Sequence, residues 1–143
     1  MNENRTIHPA PRWFTPAAIG ALLWELLGCG LLVSQAVTVP STLPPDQQAI
    51  WNATPLWMHA AWAFAVVTGT AGAILLLIRR RRATALLLVS FLAVAAQFSG
   101  LLLVPELKNL VASDDLLVPF LVILVSYGVW HLARVASKQG WLR

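Results

Sequence analysis

Four stretches of the chain carry almost no charged side chain: roughly Pro16 to Val37, Leu56 to Ile78, Ala83 to Val104 and Leu116 to Val135. Each has the roughly 17–25 residues a helix needs to cross about 30 Å of hydrocarbon. Their leucine, alanine and valine content suits helices that satisfy their own backbone hydrogen bonds. Barrel strands would be half as long and would alternate polar with apolar positions. The pattern predicts an all-α protein, a four-transmembrane-helix bundle. The first run is too long for a signal-peptide core, holds Glu25 near its centre and lacks a small-residue cleavage site, so it reads as a retained span.

Between the first two runs, Pro40, Pro44, Pro45 and Pro55 keep the spans from merging. The segment from Pro45 to Trp51 predicts one or two turns of surface helix with proline at its start. Pro105 to Asp115 predicts a second short helix. Both are expected as interfacial helices in the outer connections, with Ile50, Trp51 and Trp57 at the membrane surface. The organisation expected is an N-terminal tail over residues 1–15, a transmembrane domain over 16–136 and a C-terminal tail over 137–143.

Composition sharpens this picture. Hydrophobic residues make up 58% of the 143 and charged residues 11%, with a mean hydropathy of +0.70. These values lie far from those of soluble domains and of disordered chains. The net charge of +4 would raise nucleic-acid binding in a soluble protein, but here the positions of the charges matter more than their sum. Nine of the ten Lys and Arg residues fall on one side of the predicted spans: Arg5 and Arg12, the run Arg79, Arg80, Arg81 and Arg82, then Arg134, Lys138 and Arg143. Lys108 stands alone on the other side, with Asp46, Glu106, Asp114 and Asp115. That asymmetry places both termini in the cytoplasm. The arginine run reads as a topology signal, with contact to anionic lipids of the cytoplasmic face as its second role. No nucleic-acid partner is expected.

Polar residues inside the spans are the candidates for chemistry. Glu25 lies nine residues beyond Pro16, which at 1.5 Å per residue is roughly 14 Å deep. An ionised carboxylate at the bilayer centre costs roughly 2.5–3.5 kcal/mol, so Glu25 is either protonated or partnered. Two readings stay open: a proton- or cation-coupling group, or a protonated acid hydrogen-bonded between helices. In the last run, Tyr127 and His131 share a helical face, and a proton route Glu25–Tyr127–His131 can be drawn. Gln35, Ser90 and Gln97 are candidate polar lining. Ala61, Ala65, Gly69 and Ala73 recur every four residues as a seam for close helix packing, with Thr68 and Gly72 on the neighbouring stripe. His59 and Trp62 read as interfacial anchors.

No paired metal ligands, phosphate-binding loop or nucleophile elbow is present, and the single cysteine, Cys29, reads as a small buried hydrophobe. No catalytic residue, metal or cofactor is expected, and the chain does not read as an enzyme.

Leu23-Trp24-Glu25-Leu26-Leu27-Gly28-Cys29, Pro55-Leu56-Trp57, Ile78-Arg79-Arg80-Arg81-Arg82-Ala83 and Gly140-Trp141-Leu142-Arg143 resemble stretches of a group of short bacterial inner-membrane proteins. These proteins have four helices and carry a sugar-transporter label. The resemblance implies a multi-pass inner-membrane protein that moves a small solute, either a sugar or a solute coupled to protons; it supplies no catalytic residues. In architecture alone the chain is similar to small multidrug resistance transporters, which also have four helices and a membrane-embedded Glu in the first. It departs from them in its charge bias, which opposes insertion in both orientations, and in its longer outer loop. Four spans give little wall for a solute path, so transport requires association, as a homo-oligomer or with other membrane subunits. The alternative is an accessory or assembly subunit whose small-residue seam docks onto a larger membrane complex.

Overall fold

A computed structural model describes residues 9–143; Arg5 of the basic N-terminal tail lies outside the described residues. Six α-helices follow in order: α1 (Phe14–Val37), α2 (Pro45–Ala53), α3 (Leu56–Leu77), α4 (Arg82–Leu103), α5 (Pro105–Leu110) and α6 (Leu117–Lys138), with no strand among the described residues. Single 3-10 turns occupy Pro40–Thr42 and Ser113–Leu116. Four helices are long and apolar enough to cross a membrane: α1, α3, α4 and α6, the last together with the turn before it. Short helices form in both connections where the prolines predicted them, and α2 and α5 each begin on a proline, whose fixed φ suits the first helical position.

The two ends of the bundle that carry arginine are built alike. At the end of α3, Arg80 N–H donates to Leu75 O (2.7 Å) and Arg79 N–H to Leu76 O (3.0 Å), with Arg79 left-handed at φ 60°. At the end of α6, Trp141 N–H donates to Ala136 O (2.9 Å) and Gly140 N–H to Ser137 O (3.3 Å), with Gly140 at φ 75°. Both are Schellman motifs, which return the chain sharply against the helix it has just left. The two returning segments meet. Arg81 N–H donates to Arg143 O (3.0 Å), Arg143 N–H to Arg79 O (2.6 Å), and the Arg81 Nε–H to Leu142 O (3.3 Å). Residues 137–143, expected as a tail, therefore split: α6 runs on to Lys138 and the last residues fold back into the bundle, leaving Leu142 only 1% exposed.

The α3–α4 hairpin forms the centre, α1 packs on α3, and α6 packs on α4. A cleft of about 350 Å³, with Gly20 and Gly128 among its walls, separates α1 from α6. The most tightly buried cluster lies at the arginine end, where Phe14, Ala18, Leu76, Leu87, Ala133 and Leu142 converge from four helices and the folded-back segment. At the other end α2 packs on α5. Leucines, isoleucines and valines cover the outward faces, among them Leu23, Val67, Leu92 and Leu124.

The seam is consumed inside the chain. Ala65, Gly69 and Ala73 are buried; Gly69 faces Glu25 of α1 and Ser90 of α4, and Gly72 of the neighbouring stripe faces Leu87 of α4. Small side chains let α3 lie close to both neighbours at once. Gly69, at the centre of the seam, thus points inward, while Ala61 at its α2 end is half-buried.

Candidate functional site

Glu25 is 8% exposed and lines a cavity of about 240 Å³ bounded by all four long helices. Its carboxyl group fills the notch above Gly69. A methyl group added there would overlap the carboxyl and come within 2.8 Å of the Ser90 hydroxyl, so the acid, the notch and the hydroxyl meet at one point. Ser90 donates its hydroxyl hydrogen to Ala65 O across the α3–α4 interface (2.8 Å). The Ser90 oxygen thus turns lone pairs towards the notch, where a protonated carboxyl group could donate to it. Ser126 of α6 closes the opposite wall, and no Lys, Arg or His lines this cavity.

Above the chamber lies a wider vestibule of about 490 Å³ beneath α2. Leu31, Trp62 and Gln97 line both spaces and form the neck between them. The vestibule wall includes Gln35, Gln47, Trp51 and His59, and carries no carboxylate, lysine or arginine. The Trp51 and His59 rings lie 5.7 Å apart, and His59 Nδ1 is 3.4 Å from Pro55 O, which fixes that wall. In the opposite direction the buried cluster around Phe14, Leu76 and Leu142 fills the bundle. The combined space thus extends from Glu25 towards the α2 end, and the buried cluster packs the arginine end.

The sequence-derived candidates divide cleanly. Glu25, Ser90 and Gln97 come together in the chamber, and Gln35 joins them through the vestibule. Tyr127 and His131 do not. Their rings lie 5.9 Å apart, but Tyr127 is 44% exposed and packs with Phe91 and Trp130 along the α4–α6 seam. Neither Tyr127 nor His131 lines the chamber that holds Glu25. Glu25 sits against α3 and α4, and the α6 residues that line the chamber are Val118, Val122 and Ser126, the last of them one position before Tyr127.

Trp62, expected as an interfacial anchor, stands at the neck, and its spacing of three and seven from Ala65 and Gly69 puts it on the inward face. Trp24, beside Glu25, lines both the chamber and the α1–α6 cleft and so separates them. Cys29 is tied to Thr70 of α3 at 3.3 Å, which suits a packing role. Among the described residues no group of His, Cys, Asp and Glu is arranged to hold a metal ion. No family model, curated protein or solved structure matches this chain.

Proposed function

We propose that this chain is a small-solute carrier of the bacterial inner membrane, working as a homo-oligomer with both termini in the cytoplasm, in which Glu25 couples solute movement to a proton. One observation carries the reading: the cavity holds a single acid, with a neck leading to the vestibule on one side and the buried cluster of the arginine end on the other. A carboxylate with no basic partner is costly in a low-dielectric site, so its proton and its solute exchange through the wet vestibule. The amide, hydroxyl and indole groups of that vestibule suit a neutral polar solute such as a sugar, which offers hydrogen-bonding edges and apolar faces.

The fold also weighs against the accessory-subunit alternative, because its proposed docking seam is occupied by α1 and α4. The test is flux in proteoliposomes with an entrapped pH dye and a panel of neutral solutes headed by radiolabelled glucose. The expected result is solute uptake accompanied by proton movement, with Glu25→Gln folding normally but losing the coupling. Uptake by Glu25→Gln at the parental rate with the proton movement intact would sink the coupling role. Absence of uptake for every solute in the panel would sink the carrier.

A further inference from the structure

Segments carrying basic residues from three parts of the chain meet where α3 turns into α4. The clasp described above ties Arg143 to Arg79 and Arg81 through backbone hydrogen bonds, and Thr84 Oγ1 donates to Ala133 O (3.2 Å), which brings Arg134 and Lys138 alongside. Three of the guanidinium groups are partly committed: Arg79 lies over the Phe14 ring at 5.9 Å, Arg134 lies over the Trp130 ring at 5.4 Å, and Arg81 donates to Leu142 O. Arg80, Arg82 and Arg143 remain exposed, with no side-chain hydrogen bond among the described residues. No carboxylate side chain among the described residues shares this end. Asp46 opens α2, Glu106 lies in α5, Asp114 and Asp115 precede α6, and Glu25 is buried inside.

The frame that holds these cations is rigid. Leu142 belongs to the buried cluster, and Trp141 packs edge-on against Phe14 (5.7 Å) and Trp13 (5.9 Å). Trp13 itself is 54% exposed, as expected of an indole at headgroup depth beside an apolar span. A loose basic loop attracts anionic lipid only in proportion to its charge. Cations carried on one anchored backbone need less ordering to converge on a ligand than those of a loose loop, which favours a particular headgroup at a particular place.

We propose that Arg80, Arg82 and Arg143, held together by the clasp between the α3–α4 turn and the C-terminal segment, form a preformed site for the headgroup of an anionic phospholipid. The acyl chains would lie along the exposed apolar faces of the bundle. The inference stands apart from the carrier reading and survives its failure.

The test uses the full chain in vesicles of equal phosphatidylglycerol and phosphatidylcholine, extracted mildly and weighed with bound lipid by native mass spectrometry. Phosphatidylglycerol should be retained in preference, and Arg80→Gln and Arg82→Gln should each weaken that preference by about fivefold. Lys108→Gln, at the other end, should leave it unchanged. Leu142→Gly keeps every cation but removes the anchor of the clasp, and should reduce the preference as much as losing an arginine. Should that variant fail to fold, Trp141→Ala loosens the same anchor and carries the same expectation. Equal retention of both lipids, or a preference indifferent to the anchor, would overturn the preformed site in favour of diffuse charge. Displacement of the lipid by millimolar inorganic phosphate would overturn the lipid assignment in favour of a soluble anion.

Discussion

Glycine positions separate what is packed from what is open at the level of single residues. A methyl group at Gly69 has nowhere to go: the Glu25 carboxyl and the Ser90 hydroxyl occupy its place. Gly69→Ala is expected to destabilise the fold by about 1–3 kcal/mol, the usual cost of overpacking. Gly20→Ala, with nothing within 4 Å of the added atom, should stabilise by up to about 1 kcal/mol through helix propensity. Gly100→Ala would meet only the flexible end of Met58 and should fall between them. Unfolding of the three variants in detergent, followed by circular dichroism, checks the order, and equal midpoints for Gly69→Ala and Gly20→Ala would contradict the notch. Glu25 was legible in the sequence because hydrocarbon makes any acid conspicuous. Its partners were not, since spacing along one helix names a face without naming what the face meets. The same limit explains Tyr127, which shared a face with His131 as read but looks away from the acid.

Proline and glycine set the ends of the elements, and the sequence could be read well wherever they stood. Pro45, Pro55 and Pro105 mark the starts of α2, α3 and α5. The end of α6 was placed three residues early at Val135, because the signal for the turn, Gly140, lies beyond the apolar run. The matching turn after α3 was invisible as such, since Arg79 takes the left-handed position that glycine holds at Gly140. That conformation costs a residue with a Cβ about 1–2 kcal/mol. Arg79→Gly should therefore leave stability unchanged or raise it by up to about 1 kcal/mol, the relief of strain offsetting the lost contact with Phe14. Arg79→Val, branched at Cβ and forced into the same turn, should lose at least about 1 kcal/mol. The comparison reads the strain itself, because both variants remove the same positive charge; a Val variant as stable as the Gly variant would mean that the turn is not left-handed in solution.

Charge and cavity run along the same axis of the whole molecule. The arginine end is basic and tightly filled, whereas the α2 end is acidic, hollow and roofed by short helices. The orientation proposed from the Lys/Arg asymmetry puts the arginine end at the cytoplasm, and it is this orientation that decides which compartment can reach Glu25. In a Cys29→Ser background, Arg82→Cys should react with a membrane-impermeant thiol reagent only from the cytoplasmic side, and Asp46→Cys only from the opposite side. Ser126→Cys, on the chamber wall facing Glu25, should follow Asp46→Cys, more slowly because the reagent must pass Leu31, Trp62 and Gln97. Reaction of Ser126→Cys from the cytoplasmic side alone would mean that the filled end is the one that opens. Equal reaction from both sides would describe either a chamber that opens to each compartment in turn, as a carrier requires, or a through-pore; ion conductance in planar bilayers separates the two, and a conducting pore would leave coupling by Glu25 without a physical basis.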